Sequence, residues 1–339
     1  MVVKHDVSML PYNTFGLDAK ARNYVEVDGE STLRELISSG LLGENRFLVL
    51  GGGSNIVFRG DYDGTVVRMT SQGIEKVGEL ADGTVLVRAQ AGTVWDYFVD
   101  TCIANGWYGV ENLTAIPGTV GASAVQNVGA YGAEAKDVIE EVRAFDVATG
   151  EERVFANEEC HFAYRNSAFK QELAGRYIIE SVTFRLNGTF ALNKQYKAVA
   201  AAVAESGIEN PTAREVADII TAVRWKKLPR PEEKGSAGSF FKNPVVTASQ
   251  YEQLMEQYPD LVAFAVDDEH FKLAAGWMIE HCGWKGRSLG RAGVYEKQAL
   301  VLVNLGGCTG REVENLSNAI TADVEDRFGV KLTPEAIMV

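Results

Sequence analysis

Several stretches of this sequence combine residue types that can do chemistry. Leu50-Gly51-Gly52-Gly53-Ser54-Asn55 follows an apolar run. Its peptide N–H groups can close into a concave nest for a pyrophosphate, with Ser54 and Asn55 adding side-chain hydrogen bonds, and a plain hairpin turn is the alternative. A longer stretch, Ile116-Pro117-Gly118-Thr119-Val120-Gly121-Ala122-Ser123-Ala124-Val125-Gln126-Asn127-Val128-Gly129-Ala130-Tyr131-Gly132, has no ionisable side chain except a tyrosine. Backbone left bare at its glycines is costly to bury without partners, and a flat, polar-edged cofactor would satisfy it; a Gly-rich Ω-loop or strand bend is the alternative.

Gly235-Ser236-Ala237-Gly238-Ser239-Phe240-Phe241-Lys242-Asn243-Pro244 sets Ser239 among small residues and two aromatics. A hydroxyl in such an apolar wall donates a proton only where a cation or a hydrogen-bonded relay stabilises the alkoxide, a part Lys227 could take; the alternative is an N-cap or turn serine. In His161-Phe162-Ala163-Tyr164-Arg165-Asn166-Ser167, Arg165 beside Tyr164 is able to grip a carboxylate or phosphate through two N–H groups, against the alternative of a surface salt bridge. Leu332-Thr333-Pro334-Glu335 puts a carboxylate near a flexible end.

Other strings carry no chemistry. The turn at 51–53 is not G-x-G-x-x-G, because position 56 is isoleucine, and no Gly-Lys dipeptide exists to make a P-loop. Gly286-Arg287-Ser288-Leu289-Gly290 spells a nucleophile elbow, but an elbow needs strand then helix, and no histidine follows Ser288. His5, His161, His270 and His281 fit no metal template, and Cys102, Cys160, Cys282 and Cys308 are too scattered for a metal pair or a disulfide framework. They read as reduced thiols, and no metal is expected.

The elements that must position these residues follow from periodicity. Residues 24–27, 47–50, 56–58, 65–69 and 84–89 read as strands, with Asp-Gly turns at 63–64 and 82–83 that suggest antiparallel pairing. Helical spacing appears over 31–39 and 93–105. Strands at 138–147, 154–155 and 177–184 precede an alanine-rich helical region at 197–227, stopped at Gly207 and restarted at Asn210-Pro211-Thr212. After a linker at 228–235, helices at 248–258, 273–282 and 313–329 and strands at 262–266 and 300–304 suggest a separate α+β layer.

Composition sets the outer limits. The chain has 339 residues, 33 basic and 46 acidic, for a net charge of −13. That length suggests two or three domains, and the charge opposes extended binding to nucleic acid. No apolar stretch is long enough for a membrane helix, the N-terminal residues lack the order of a signal peptide, and a cytoplasmic enzyme is expected. The 34 glycines exceed an ordinary share, so their position decides what they mean.

Taken together, LGGGSN (50–55), IPGTVGASAVQNVGAYG (116–132), YRNS (164–167), AGSFFKNP (237–244), KLAAGWMIE (272–280) and LTPE (332–335) resemble the bacterial UDP-N-acetylenolpyruvoylglucosamine reductases, in order and over nearly the whole chain. The stretch around Gln195-Tyr196 looks like the tyrosine-bearing insertion of that family's longer branch. The resemblance implies an α+β chain with a split FAD-binding fold of the vanillyl-alcohol-oxidase (PCMH) type and a C-terminal α+β substrate-binding domain. Its parts would be 1–68, with the tail 330–339 returning to it, then 69–227 and the substrate domain 228–329.

The implied reaction is a two-stage one of peptidoglycan synthesis. NADPH reduces FAD, hydride passes to the methylene carbon of UDP-N-acetylglucosamine enolpyruvate, and an enzyme acid protonates the adjacent carbon. Ser239 matches the proton donor, and Arg165 and Glu335 match the residues that polarise the substrate carboxylate. Gly52, Gly53, Ser54, Asn55, Ile116, Pro117, Gly118, Ser123, Gly129, Ala130, Tyr131 and Arg224 would hold FAD. Tyr164, Tyr196, Lys227, Asn243, Lys272 and Gln298 would contact the substrate, and no obligate protein partner is implied.

Two departures stand out. Ile337 replaces an arginine often found two residues after the terminal glutamate, and the family's substrate-contacting tyrosine falls near Phe264, with Tyr251 and Tyr258 as alternatives. A flavin oxidase of the same fold, often linked to FAD through histidine or cysteine, is disfavoured because neither Gly-rich loop contains histidine. A non-catalytic nucleotide-sugar or flavin-binding module would have no use for Ser239 together with Arg165 and Glu335.

Overall fold

Val142, Phe145, Ile178, Val182 and Phe184 are almost wholly buried, because the strands that carry them feed apolar side chains into a covered sheet face. A computed structural model describes residues 1–44, 46–192 and 196–339, so Gln195 of the insertion lies outside the described residues. Helices and strands are mixed throughout, which is the α+β class expected. The chain forms two compact units.

The first unit comprises Met1–Val7, Ala21–Gly52 and Asp63–Lys226. Its five-stranded sheet runs Glu152–Ala156, Ile139–Asp146, Tyr177–Leu186, Val85–Gln90, Ile74–Glu79, with every neighbour antiparallel. Helix Trp95–Ala104 packs on this sheet through an aromatic cluster: the Phe98 and Phe184 rings are 4.5 Å apart, and Trp95 lies 6.0 Å from Phe184. The Trp95 indole N–H donates to the Leu113 carbonyl at 2.8 Å, so the polar end of this buried ring is satisfied. A second sheet runs Val3–Ser8, Lys20–Val27, Tyr62–Met69, Phe47–Leu50.

The two Asp-Gly pairs behave differently. Asp82-Gly83 makes the expected turn, with Gly83 at φ +83 and the Thr84 N–H on the Asp82 carboxylate at 2.9 Å, joining antiparallel strands. Asp63-Gly64 lies inside strand Tyr62–Met69 instead, and Arg22 pairs with Asp63. The chain bends earlier, where the Lys20 N–H holds the Asp61 carboxylate at 2.8 Å. The antiparallel pairing expected there is absent: Tyr62–Met69 pairs parallel with Phe47–Leu50, and Ile56–Val57 pairs parallel with Ile337–Met338. Alternation along a strand records which side is buried and not the direction of the partner.

Helices Lys197–Ser206 and Ala213–Lys227 form on either side of Gly207, which is left-handed at φ +72 as a helix stop requires. Segment 120–126, expected as glycine-rich loop, contains a short helix, Val120–Gln126.

The second unit comprises Ser8–Lys20, Gly53–Tyr62 and Lys227–Val339. One sheet runs Ser236–Ser239, Val301–Asn304, Ala292–Val294, Ser288–Leu289, and another runs Val245–Thr247, His270–Leu273, Ala263–Ala265. Ser288 sits in a small hairpin opposite Gly293, so no strand-to-helix elbow exists there. Helix Gly310–Phe328 starts in a capping box between Thr309 and Glu312, whose carboxyl is held down to about 2 by the Thr309 N–H and Arg291. The side chain of Asn304 ties residues 8–20 to this unit through the Phe15 and Gly16 carbonyls, at 3.0 Å each.

All four cysteines are free thiols. Burial pushes Cys160 up to about 12 and Cys308 up to about 11, so neither is a ready nucleophile. Among the described residues no helix is long and apolar enough to cross a membrane, and no group of three or more acidic, histidine or cysteine side chains could hold a metal ion.

Candidate active site

In the first unit, strand Phe47–Leu50 delivers the turn at 51–53 against the start of the second Gly-rich segment. A Cβ on Gly51 would strike the Thr119 hydroxyl, and one on Gly52 would lie 3.1 Å from Gly118 Cα. Bare backbone is required because the two motifs touch, and Gly118 itself is at φ +141. Part of this backbone is satisfied by the protein. The Val120 N–H goes to the Thr93 carbonyl and the Gly121 N–H to the Ala91 carbonyl, both at 2.9 Å, so these amides do not await a cofactor. The hydroxyl of Ser123 is buried on the Val120 carbonyl at 2.7 Å, inside the helix. Ile116 and Pro117 lead into Gly118, whose carbonyl accepts the Trp95 N–H at 3.1 Å.

Downstream, Gly129–Ala130 pairs with Ala133–Glu134, and the turn between them has Tyr131 at φ +52 and Gly132 at φ +79. Two consecutive left-handed residues make a type I′ hairpin, here with a tyrosine at its first corner. The Tyr131 ring meets Tyr196 edge-on at 5.5 Å and lies 6.0 Å from the Arg224 guanidinium. Burial pushes the Tyr131 hydroxyl up while Arg224 opposes it, and burial pulls Arg224 down against the pull of Tyr131. Arg224 Nε donates to the Ala115 carbonyl at 3.1 Å, and the Ala115 N–H is held by Asp96 at 2.7 Å. Ala115 stands at φ +55, a conformation that alanine adopts only when clamped.

Arg165 is also left-handed, at φ +53, in the two-residue turn closed by paired hydrogen bonds between Ala163 and Asn166. Its Nη2 donates to the Gly129 carbonyl at 2.5 Å and its Nη1 to the Asn127 carbonyl at 3.4 Å. Tyr164 lies beneath the guanidinium at 5.3 Å. The structure therefore brings Arg165, Tyr164, Gly129 and the turn bearing Tyr131 to one place, and Arg165 and Arg224 are close enough to repel each other.

In the second unit, Ser239 closes strand Ser236–Ser239 opposite Val301, after an irregularity at Gly238, φ +66. Such a bulge re-aims the following side chain, and Ser239 is half-exposed. It is neither an N-cap nor an ordinary turn serine. The tail runs antiparallel beside the residues after Ser239: the Lys242 N–H meets the Thr333 carbonyl at 2.9 Å, and the Glu335 N–H meets the Phe240 carbonyl at 2.7 Å. By this pairing Glu335, far away in sequence, comes opposite Phe240, the residue after Ser239. Asn55 fastens the tail from the other side, donating from Nδ2 to the Glu335 carbonyl at 3.2 Å and accepting the Ile337 N–H at 2.9 Å. Just before it, Gly53 is at φ +62 and a Cβ there would strike the Tyr12 carbonyl; Ser54 follows, half-exposed.

The remaining expected contacts are spread over this unit. Asn243 Oδ1 accepts the Ala275 N–H at 3.0 Å, so it caps helix Ala275–His281. Gln298 Oε1 lies near the same helix, 3.1 Å from where a Cβ of Gly276 would sit. Lys272 is central in its three-stranded sheet, flanked by Val245 and Phe264. Phe264 is 53% exposed, whereas Tyr251 is stacked on Phe271 and Tyr258 is packed on Phe328. Lys227 ends helix Ala213–Lys227, exposed.

Comparison with known proteins adds the chemical context. Residues 22–155 match an FAD binding domain, and residues 230–339 match the C-terminal domain of UDP-N-acetylenolpyruvoylglucosamine reductase. The UDP-N-acetylenolpyruvoylglucosamine reductase of Azoarcus sp. is 48% identical over 100% of this chain and 98% of its own. That of Pseudomonas aeruginosa is 47% identical over 97% of this chain and 96% of its own. The crystal structure of UDP-N-acetylenolpyruvylglucosamine reductase (MurB) from Thermus caldophilus superposes with a TM-score of 0.68 over 100% of this chain and 99% of that one, at 24% identity, and shares the fold. Similarity at this level over the full length establishes that the chain belongs to the UDP-N-acetylenolpyruvoylglucosamine reductase family.

Proposed function

We propose that this protein reduces UDP-N-acetylglucosamine enolpyruvate to UDP-N-acetylmuramate with NADPH, through FAD, as a step in making peptidoglycan precursor. Besides family membership, the observation that supports this proposal is the pairing of the tail with residues 240–242, in which the main chain of Glu335 lies opposite Phe240, next in sequence to Ser239. Bound FAD would supply the redox step, taking hydride from NADPH and passing hydride to the enolpyruvyl methylene carbon. The match of residues 22–155 to an FAD binding domain supports such a group in this part of the chain, and the Arg224 guanidinium beside Tyr131 offers a fixed cation for its diphosphate. Gly52, Gly118, Gly129, Ala130, Tyr131 and Arg224 would hold it, with Gly53, Ser54 and Asn55 continuing the same turn.

Hydride arriving at the methylene carbon leaves negative charge on the carbon that bears the carboxylate and the ether oxygen. Arg165 grips that carboxylate, so the charge delocalises into an enediolate-like group against a fixed cation. Ser239 donates its proton to the same carbon, completing the new C–H bond, and regains one through a hydrogen-bonded relay. Glu335 acts either in its protonated form or by orienting a donor, since a second free carboxylate would repel the developing charge. Tyr164, Tyr196, Lys227, Lys272 and Gln298 engage the sugar and diphosphate, with Lys227 matched to diphosphate charge.

The test is spectroscopic. Purified protein should be yellow from released FAD, bleach with NADPH, and regain colour anaerobically when UDP-N-acetylglucosamine enolpyruvate is added. A bleached protein that stays colourless with that substrate overturns the proposal.

A further inference from the structure

Arg165 owes its place to a residue that its own motif does not contain. Asn127 follows helix Val120–Gln126, has no exposed surface, and stands at φ +44, in the left-handed region that asparagine tolerates better than most side chains. Its side chain makes three hydrogen bonds. Nδ2 donates to the Ala163 carbonyl at 2.9 Å and to Glu134 at 3.0 Å, and Oδ1 accepts the Lys136 N–H at 3.0 Å. Its main-chain carbonyl accepts from Arg165 Nη1 at 3.4 Å. Ala163 is the residue that opens the tight turn carrying Arg165, and its N–H and C=O both pair with Asn166 at 3.0 Å. One buried residue therefore holds the turn through its amide and the guanidinium through its carbonyl.

We propose that Asn127 is a positioning residue for Arg165, setting the angle at which the guanidinium meets the substrate carboxylate; this rests on the reduction proposed above. A helix C-cap alone would need only the left-handed backbone, which glycine supplies, and would leave the bonds to Ala163, Glu134 and Lys136 without purpose. The bond to Ala163 joins the Gly-rich segment to the arginine turn, those to Glu134 and Lys136 fix the amide that makes it, and Ser167 adds a second side-chain tie, from its hydroxyl to the Val125 carbonyl at 2.8 Å. Because a guanidinium grips a carboxylate through a planar fork, a small tilt of the turn weakens both bonds together.

The deciding experiment is calorimetric binding to the oxidised, FAD-loaded protein with two ligands: UDP-N-acetylglucosamine enolpyruvate, and UDP-N-acetylglucosamine, which lacks the carboxylate. Asn127→Gly keeps the backbone conformation and removes the side chain. It should lose about 10-fold or more in affinity for the first ligand and change the second by less than about 2-fold. Combined with Arg165→Ala, it should add no further loss, since both act on one contact. If Asn127→Gly does not fold, Asn127→Asp keeps the shape and turns the donor into an acceptor facing the Ala163 carbonyl, and the same selective loss is expected. Equal losses for both ligands, or losses that add to that of Arg165→Ala, overturn the positioning role. If the native protein shows no preference for the carboxylate-bearing ligand, the proposed reduction fails and the positioning role with it. If that preference exists and Arg165→Ala abolishes it while Asn127→Gly keeps it, the positioning role alone fails.

Discussion

Ser239 shows how far a single residue can be interpreted from its neighbours. Small and aromatic flanks mark a hydroxyl in an apolar wall, but the bulge at Gly238 and the tail paired with Phe240 appear only once the chain is folded. Ser239→Ala should leave flavin bleaching by NADPH at the native rate and slow reoxidation by substrate by about 10²–10⁴-fold, the range of general acid catalysis, in stopped-flow absorbance. A native rate of reoxidation would remove Ser239 from the chemistry. Asn243 teaches the opposite lesson: a residue expected to touch substrate also caps a helix through the Ala275 N–H. Asn243→Ala should therefore lower stability by about 1 kcal/mol in thermal unfolding, whereas Asn243→Asp keeps the acceptor and most of the stability. Equal melting temperatures for the native and alanine forms would contradict the capping role.

Among the elements, the central strands of the first unit carry a charged cluster that periodicity does not reveal. Arg143 on strand Ile139–Asp146 reaches Glu152 at 2.7 Å, Glu30 at 2.9 Å and the buried Glu180 at 3.2 Å, joining two sheet neighbours to helix Glu30–Ser38. Hydrogen bonds from Arg34 and then Arg143 hold Glu30 below the usual carboxylate range, and Arg143 does the same for Glu152. A carboxylate with a depressed folded pKa stabilises the fold fully above its unfolded pKa, near 4.3, and loses that contribution as pH falls through the folded value. Arg143→Ala also strands Glu180 in the interior, so it should cost about 2 kcal/mol or more at pH 7. Scanning calorimetry should find this gap constant from neutral pH to about 5 and narrowing progressively below about 4, as the carboxylates held by Arg143 take up protons. A gap undiminished at pH 3 would mean that Arg143 acts through packing. Strand positions were legible because burial leaves a period-2 trace, as in residues 85–89. Pairing direction was not, and Asp63-Gly64 inside a strand shows that turn chemistry yields when both neighbouring strands are present.

At the scale of the whole molecule, a net charge of −13 must coexist with anionic ligands, so positive charge has to be local. Arg165 and Arg224 meet that need in one unit, held in place by backbone carbonyls. A cofactor that binds only the folded chain stabilises it in proportion to its concentration, so stripping FAD should lower the melting temperature, and restoring it at 100 times its Kd should return about 2.7 kcal/mol. No shift on adding FAD would argue against a cofactor site. By itself the sequence determined the α+β class and the two Gly-rich segments, which leave a local signature of spacing or residue type, while its resemblance to a known family marked Ser239, Arg165 and Glu335 as the candidate chemistry. Tertiary structure alone decided that Gly52 lies against Gly118, that the tail pairs Glu335 with Phe240, and that the Asn127 side chain bonds to the turn of Arg165. These contacts join residues distant in the chain through backbone carbonyls and amides, which every residue possesses and which leave no mark in residue type.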